Sequence, residues 1–388
     1  MAVELAARIE SALRTARAAG RLRTLESRHG AQGVDVTLDG RTLTNFTSND
    51  YLGLAAHPRI LDRVRSELGL HGFGSGSAAL LSGRSSLHAE FERALADYTG
   101  MESALLFSSG YLANLGALTA LTAPQDLILH DRLNHASLID AVRASGARHL
   151  RYPHRDYMCA NTLLTTHSQR VKWVLTESEF SMDGDIAPLA DLGAVCAAHD
   201  AMLYVDDAHG FGVLAHGRGA APSLDPARKH AQILMITLGK TLGAVGGVVL
   251  GTASMIEFLI QRARTFIYDT ALPPVCAAAA LEALTLMRDE PTLSSRLLGR
   301  VNYFRVRAAA AGIPLTASTT PIQPLMIGDD ARALFIANAL VDAGLYVRAI
   351  RPPTVPSGTA RLRVTLTVAH SNDQIDLLVA ALARHLAT

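Results

Sequence analysis

The sequence predicts an α/β protein with a large domain on a mainly parallel central β-sheet and a smaller α+β domain at the C-terminus. Short β-branched runs alternate with Ala/Leu-rich stretches of helical period, which is typical of βαβ units. Around Asp289–Thr292 this alternation gives way to a different order of helices and strands. Hydrophobic residues make up 49 % of the 388 residues, enough for a large core and too many for a disordered chain.

The N-terminal segment, residues 1–23, mixes Glu and Arg into an apolar stripe and predicts an amphipathic helix rather than a signal peptide. The strands expected next are short and apolar: Ala104–Phe107, Leu127–His130, Trp173–Thr176, Met202–Val205, Leu234–Thr237 and Val248–Leu250. The helices expected between and after them have a 3.6-residue apolar period: Tyr111–Leu121, His135–Ala144, Pro188–Ala198 and Pro274–Met287.

Beyond residue 290 a second pattern begins with a long Arg-rich helix. A strand near Gln323–Met326, a helix from Ala331, and strands near Tyr346–Ala349 and Arg361–Leu366 are expected to follow. The chain is therefore divided into an N-terminal helix and arm (residues 1–45), a large α/β domain (46–290) and a small α+β domain (291–388).

The charge and cysteine content exclude several classes of protein. Lys and Arg number 36 against 35 Asp and Glu, a net charge of +1, which argues against nucleic acid as a partner. No CxxC spacing joins the three cysteines, Cys159, Cys196 and Cys276, so neither a disulfide framework nor a thiolate zinc site is expected. The expected location is therefore the reducing cytoplasm. The longest apolar stretch, Ile233–Gly251, is interrupted by Lys240 and rich in glycine, so no membrane span is expected.

Two glycine-rich segments have the spacing of nucleotide-binding loops but not their context. Gly72–Ala79 contains GxGxxA, yet a predicted helix precedes it and no acidic residue closes a βαβ unit about 20 residues later. A loop that approaches a ligand or a neighbouring subunit is favoured instead. Gly239-Lys240-Thr241 has the ending of a P-loop, but Leu234 stands where that motif requires glycine.

A polar cluster follows the predicted strand Met202–Val205, at the end of the strand where open α/β sheets bind ligands. It contains Asp206, Asp207 and His209, which are costly to bury without partners. A helix N-cap with a chance histidine, a metal site and a catalytic site are the alternatives. No second His/Asp cluster has comparable spacing, which disfavours a metal.

Lys240 follows the next predicted strand, Leu234–Thr237, and leads into a glycine-rich segment. An ammonium between buried apolar strands loses hydration, which lowers its pKa and suits it for a Schiff base. The alternative is a surface lysine in a glycine turn. Adjacent strand ends would bring an acid, a histidine and this lysine together, which favours the catalytic interpretation.

Two further strand-to-helix turns carry polar residues. Ser108–Asn114 offers free N–H groups at a helix start, which suit a phosphate, although a turn capped by serine explains it equally well. Asn134–Ser137 places His135 at a helix start, where a single histidine is usually structural.

Together these segments resemble the fold-type I pyridoxal-phosphate (PLP) transferases, and among them the α-oxoamine synthases. The C-terminal stretch Ala349–Arg363 resembles the branch of this family that acts in biotin biosynthesis. The other matching stretches occur in family order over most of the chain: Ser48–Gly53, Gly72–Gly83, His130–Ser137, Thr176-Glu177 with Phe180–Gly184, Asp206–Gly210 and Thr237–Lys240.

The resemblance implies roles for residues around the cofactor, pyridoxal 5'-phosphate. Lys240 would bind it covalently, and Asp206 would pair with its pyridinium nitrogen and keep that nitrogen protonated. His209 and Ser181 would contact its phenolic oxygen, and His135 would stack on the ring. Its phosphate would be held by Thr237 and the backbone of Gly110 and Tyr111.

The resemblance also implies substrate contacts. Arg351 would bind the carboxylate of the amino acid, for which a guanidinium fork is well shaped. Arg23 and Thr354 align with positions that contact the substrate. The neighbouring Arg21 offers a competing register for Arg23, which the sequence leaves open.

The implied reaction condenses L-alanine with a pimeloyl thioester, carried by CoA or by a carrier protein, and releases CO₂ and the thiol. Lys240, freed by alanine, would remove the α-proton as a general base. Homodimers are implied, with the loop Gly72–Gly83 contributing at the subunit interface.

Two alternatives remain at this stage. A sister synthase would use glycine with acetyl- or succinyl-CoA, a difference of one methyl group, worth only about 1–3 kcal/mol in an apolar pocket. A non-catalytic partner subunit would keep the fold alone. The joint presence of Lys240, Asp206, His209 and His135 argues against a non-catalytic chain.

Overall fold

The N-terminal arm begins with an exposed helix and continues into a β-hairpin. The computed structural model describes residues 2–386. Helix α1 (Ala2–Ala18), the predicted amphipathic helix, is followed by strands β1 (Arg28–His29), β2 (Asp35–Leu38) and β3 (Arg41–Asn45). Asp39 and Gly40 join β2 to β3 with φ of 47° and 79°, the positive values that a two-residue hairpin turn requires.

The large domain follows as alternating helices and strands, and six of its strands are those expected from the sequence. In chain order its elements are α2 (Pro58–His71), α3 (Ser86–Thr99), β4 (Ser103–Phe107), α4 (Gly110–Leu121), β5 (Leu127–Asp131), α5 (Ala136–Ser145), β6 (Arg148–Tyr152), α6 (Tyr157–Thr166), β7 (Lys172–Glu177), α7 (Leu189–Ala198), β8 (Met202–Asp206), β9 (Gln232–Thr237), β10 (Gly247–Gly251), α8 (Ala253–Arg262), α9 (Arg264–Ile267) and α10 (Pro274–Asp289).

A seven-stranded sheet in the order β4-β10-β9-β8-β7-β5-β6 forms the centre of this domain. Strand β10 is antiparallel to both neighbours, and the other pairs are parallel. This confirms the predicted fold class. Strand β6 was not predicted because it lies at the sheet edge, where its sequence RHLRY carries exposed charged residues instead of an apolar run.

Helices cover both faces of the sheet. Val174 and Leu203 face the side covered by α3 and α10, and Leu175 and Met235 face the side covered by α4, α5 and α8. Strands buried on both faces are apolar at consecutive positions, which explains why their sequences show unbroken apolar runs. The apolar stretch Ile233–Gly251 belongs to this core as β9 and β10. Among residues 2–386 we find no helix long and apolar enough to span a membrane.

The C-terminal part has its own three-stranded antiparallel sheet, in the order β11-β14-β13. Its elements are α11 (Leu293–Ala310), β11 (Ile322–Gly328), α12 (Asp330–Asp342), β12 (Leu345–Tyr346), β13 (Arg348–Ile350), β14 (Ala360–Thr365) and α13 (Asn372–Leu386). The single strand predicted near Tyr346–Ala349 is two strands, because β12 pairs with β3 of the N-terminal arm and β13 pairs with β14. The proposed division of the chain at residues 45 and 290 stays a prediction.

The topology places four strand ends along one edge of the large sheet. The parallel strands β5, β7, β8 and β9 end there with Asp131, Glu177, Asp206 and Thr237. Glu177 and Asp206 are paired directly across β7 and β8. This edge is where an open α/β sheet binds its ligand.

Candidate active site

Lys240 lies in the loop that connects β9 to β10. The loop is closed by hydrogen bonds from the Leu238 amide to the Gly246 carbonyl (2.9 Å) and from the Gly243 amide to the Lys240 carbonyl (2.9 Å). Gly243 has φ of +59°, and a Cβ there would lie 2.3 Å from the amide nitrogen of Ala55. Only glycine therefore allows the loop to pack this closely against the segment after β3.

The ammonium of Lys240 interacts with ionisable groups of three strands, β7, β8 and β14. Desolvation lowers its pKa, and the carboxylates of Asp206 and Glu177 oppose that shift. The guanidinium of Arg363 acts in the same direction as desolvation. A lowered pKa makes a neutral amine available near neutral pH, the direction predicted from the position of this lysine in the sequence.

The carboxylate of Asp206 is buried and held by two donors. Asn114 Nδ2 donates to its Oδ2 (2.8 Å), and the amide of Ala208 donates to its Oδ1 (3.0 Å). Because each oxygen has its own donor, the plane of the carboxylate is fixed at the end of β8. This arrangement suits an anion that must face a cationic ring nitrogen.

His209 is buried beside a tyrosine that the sequence analysis did not assign to the site. The Tyr51 hydroxyl lies 2.6 Å from His209 Nδ1 and 3.4 Å from Asn49 Oδ1. Because the first distance is much shorter, the hydroxyl donates its proton to His209 Nδ1. Burial raises the pKa of Tyr51 and lowers the pKa of His209 well below its usual value, with Lys240 adding to the second shift. His209 is therefore neutral, accepts through Nδ1 and presents Nε2–H as a donor.

His135 is the N-cap of helix α5. The predicted helix, His135–Ala144, had placed this residue in its first turn. Its Nδ1 lies 2.8 Å from Ser137 Oγ and accepts from the Ser137 amide (3.2 Å). Its own amide donates to Glu177 Oε1 (2.5 Å). Desolvation lowers the pKa of His135, against the attraction of Asp206, and raises the pKa of Glu177 well above its usual value.

The start of helix α4 forms a cradle for an anion. Ser109 Oγ accepts from the Leu112 amide (3.2 Å), while within residues 2–386 the amides of Gly110 and Tyr111 have no hydrogen-bond acceptor. A Cβ on Gly110 would lie 3.2 Å from Cβ and Oγ1 of Thr237, so this threonine backs the turn. Free N–H groups at a helix start, on a turn with no room for a side chain, fit a phosphate.

Arg363 is the charged site residue that sequence reasoning missed. It is 8 % exposed, donates from Nε to the carbonyl of Ser181 (2.7 Å), and donates from Nη1 and Nη2 to Asn49 Oδ1 (3.2 Å each). It lies in β14, whose six residues are all buried. An arginine inside a buried apolar strand is rare unless paired, and that was the available signal.

The remaining predicted substrate residues meet in a groove between the N-terminal arm and the small domain. Arg23 Nη2 lies 3.5 Å from Thr354 Oγ1, and Arg351 donates to the carbonyl of Gly20. Arg21 instead forms an ion pair with Asp330 at 2.7 Å. This arrangement favours Arg23 over Arg21 as the arginine that shares a site with Thr354.

The structure also bears on the glycine-rich segment Gly72–Ala79. Helix α2, not a strand, precedes Gly72, so the context of a dinucleotide fingerprint is missing. Within residues 2–386 we find no group of three or more His, Cys, Asp or Glu side chains placed to hold a metal ion.

Comparison with known proteins places the chain in a family. The model of the aminotransferase class I and II family matches residues 41–382. The 8-amino-7-oxononanoate synthase of Methylococcus capsulatus is 48 % identical over 91 % of both chains, and that of Pseudomonas putida is 46 % identical over 99 % of this chain and 97 % of its own. The chain belongs to the 8-amino-7-oxononanoate synthases of this aminotransferase family. This confirms the resemblance drawn from the sequence motifs.

Solved structures give the same result for the fold. A Sphingomonas wittichii serine palmitoyltransferase superposes with a TM-score of 0.89 at 28 % identity, over 98 % of this chain and 96 % of its own. The Francisella tularensis 8-amino-7-oxononanoate synthase has a TM-score of 0.75 at 30 % identity, over 89 % and 98 % of the two chains. A further serine palmitoyltransferase was solved with PLP.

Glu179 is a buried acid for which the family resemblance assigned no role. It is 0 % exposed, and neither carboxylate oxygen has a hydrogen-bond partner within the described part of the chain. Burial raises its pKa to about 8, although the nearby Thr320 hydroxyl, Arg363 and Lys240 act to lower it. In the native protein this side chain is therefore protonated at neutral pH.

The buried acid makes stability depend on pH. Because the pKa of Glu179 rises from 4.5 to about 8 on folding, its contribution is complete below pH 4.5 and is lost as the pH rises to 8. Glu179→Gln removes this loss, so we expect the Tm difference, variant minus wild type, to grow between pH 5 and 8 and then level off. The corresponding gain in unfolding free energy is on the order of a few kcal/mol.

The control for this measurement is Glu257→Gln, which removes an exposed carboxylate from α8. Its Tm difference from wild type should not change with pH. Asp207, whose pKa burial raises to about 7, also raises the pKa of Glu179, so the pH dependence of the Glu179→Gln difference includes the loss of this interaction. A pH-independent Tm difference for Glu179→Gln would contradict the interpretation.

Proposed function

We propose that this chain is a PLP-dependent 8-amino-7-oxononanoate synthase, which condenses L-alanine with a pimeloyl thioester and releases CO₂ and the thiol in biotin biosynthesis. The observation that carries the proposal is the meeting of Lys240, Asp206 and His209 at one sheet edge, in a chain 46–48 % identical to synthases of that name. Three free cysteines support a cytoplasmic location.

The residues present fit the cofactor at both ends. The free amides of Gly110 and Tyr111, backed by Thr237, suit its phosphate, and the fixed carboxylate of Asp206 suits its ring nitrogen. Ser181 and His209 would contact its phenolic oxygen, with His209 Nε2–H as a donor. When bound, PLP withdraws electrons from the α-carbon of the amino acid.

Each side chain then has a defined task. The Asp206 carboxylate would hold a proton on the ring nitrogen of bound PLP through a charge-assisted hydrogen bond. The Lys240 amine, with its lowered pKa, takes the proton from the α-carbon of L-alanine as a general base. His135, which caps helix α5 and interacts with Asp206 and Lys240, would stack on the ring face.

Arg351 binds the carboxylate of the amino acid in this proposal, and Arg363 supports the site from within β14. Arg351→Lys replaces a planar fork by a point charge, so we expect the KM for L-alanine to rise about tenfold with kcat little changed. Arg363→Lys releases Asn49 and Ser181 and should mainly lower kcat. If Arg363→Lys alone raises KM, the carboxylate partner is Arg363.

The substrate assignment is tested by thiol release from pimeloyl-CoA with the purified, PLP-loaded protein. Release should be fast with L-alanine and slow with glycine. Release only with glycine and acetyl- or succinyl-CoA would make the chain a sister synthase with the same lysine chemistry. Comparing pimeloyl-CoA with a pimeloyl carrier protein in the same assay identifies the carrier.

The active unit in this proposal is a homodimer. Phe73 and Leu81 in the loop Gly72–Gly83 are 71 % and 81 % exposed, and Tyr268 is 72 % exposed. Large apolar side chains so exposed are typical of an interface, and symmetric dimers are the commonest assemblies. Sedimentation velocity should show a dimer that Tyr268→Asp weakens. An active wild-type monomer would contradict the proposal.

A further inference from the structure

Asn114 lies where three side chains of two other elements, β8 and α5, meet beneath the proposed cofactor site. It is 0 % exposed, in the second turn of α4. Its Nδ2 donates to Asp206 Oδ2 (2.8 Å) and to Ser137 Oγ (2.9 Å), and its Oδ1 accepts from the hydroxyl of Tyr204 (2.8 Å). Both N–H groups of this amide and one acceptor site of its oxygen are directed at these three groups.

Tyr204 determines which way the amide points. It is fully buried in β8, and burial raises its pKa well above the usual value, so its hydroxyl keeps its proton and must donate. The acceptor of that proton is Asn114 Oδ1. Because the oxygen faces Tyr204, the two N–H bonds of the amide point toward Asp206 and Ser137. The reversed amide would place two donors against the tyrosine and a carbonyl oxygen against a carboxylate, which is repulsive.

The same orientation extends to His135. Because Ser137 Oγ accepts from Asn114, its own proton is free to go to His135 Nδ1, 2.8 Å away. The Ser137 amide points at the same nitrogen. His135 therefore accepts through Nδ1 and carries its proton on Nε2. The charged groups that face this histidine are Asp206, Lys240 and Asp140.

We propose that Asn114, oriented by Tyr204, is a positioning residue that couples the two groups proposed to contact the cofactor ring, fixing the carboxylate of Asp206 and the tautomer of His135. This inference rests on the proposed function. It links the residue proposed at the ring nitrogen with the residue proposed at the ring face. One chain of hydrogen bonds runs from Tyr204 through Asn114 to Asp206. The other runs from Asn114 through Ser137 to His135.

Tyr204→Phe is the sharpest variant because it removes one oxygen atom and touches no group of the ring site directly. The amide of Asn114 then loses the partner that fixes its orientation. Tyr152→Phe is the matched control: Tyr152 is also fully buried in the same sheet, and its hydroxyl donates to a single carbonyl, that of Leu175 (3.0 Å). Both variants lose one buried hydroxyl hydrogen bond.

The measurement is a pH titration of the visible absorbance of the PLP-loaded protein, together with kcat and KM for L-alanine. Tyr204→Phe and Asn114→Ala should shift the absorbance midpoint by at least about half a pH unit and lower kcat about tenfold, with KM changed less than twofold. Tyr152→Phe should shift neither, even where its Tm falls by the same amount.

The outcomes separate the inference from the proposed function. A midpoint and kcat for Tyr204→Phe equal to those of Tyr152→Phe would overturn the positioning role. The absorbance titration needs bound PLP and no thioester, so it decides the matter even if thiol release shows a different substrate. If Asn114→Ala fails to fold, Tyr204→Phe alone carries the test.

Discussion

Replacing Lys240 with alanine is expected to abolish covalent attachment of PLP and to lower kcat for thiol release by about 10⁴-fold. The amine both forms the covalent link and removes the α-proton in the proposed mechanism. No other lysine can take its place, because the sequence contains only two others, Lys172 and Lys229. Their amines donate to the carbonyls of Leu164 and Gly100, away from the sheet edge that carries the site.

Borohydride reduction measures this directly. The PLP-loaded protein is reduced, digested and analysed by mass spectrometry, and the cofactor mass should appear on the peptide that contains Lys240. Lys229→Gln serves as the control and should keep both the label and the activity. A label on Lys172 or Lys229 in the wild-type protein would remove Lys240 from its proposed role.

The second large effect concerns Asp206. Asp206→Ala should slow removal of the α-proton from L-alanine by about 10³-fold, while PLP remains bound through Lys240 and the cradle at the start of α4. The physical reason is that the ring nitrogen loses the anion that keeps it protonated, so negative charge at the α-carbon is no longer stabilised. Asp206→Asn should behave similarly, because it preserves the volume and removes the charge.

Exchange of the α-hydrogen of L-alanine with D₂O, followed by NMR without any thioester, isolates this step. The control is Asp191→Asn, an exposed aspartate in the first turn of α7. PLP content is measured by absorbance in the same samples. An exchange rate for Asp206→Ala within threefold of wild type would show that the carboxylate is not needed to stabilise that charge.

The fold was predictable where burial determines the sequence. Strands covered by helices on both faces are mostly apolar, so Leu127–His130 and Met202–Val205 could be predicted from the sequence, one residue short of β5 and β8. Strand β6 could not be predicted in this way, because a strand at the edge of a sheet does not need an apolar run. The ends of β8 and β9 were informative because polar residues directly after a buried strand are costly unless they have partners.

The candidate site was only partly predictable. Asp206 ends a strand and His135 caps a helix, positions that local patterns locate, whereas Arg23, Ser181 and Thr354 lie in loops and were predicted only from the family resemblance. Tyr51 contacts His209 from 158 residues away, and Asn49 meets Arg363 across 314 residues. No spacing along the chain encodes such pairs. Asn114 was within a recognised turn, but its orientation depends on the hydroxyl of Tyr204, which only the packed sheet brings near.

The pairing of β3 with β12 has a consequence for how the chain folds during synthesis. The amides of Thr44 and Phe46 donate to the carbonyls of Gly344 and Tyr346, and the Tyr51 carbonyl accepts from the amide of Val368. The segment that carries Asn49 and Tyr51 therefore emerges from the ribosome some 300 residues before its partners. The parallel strands of the central sheet can pair as they appear, whereas the segment that contacts His209 gains its partners Arg363 and Val368 much later.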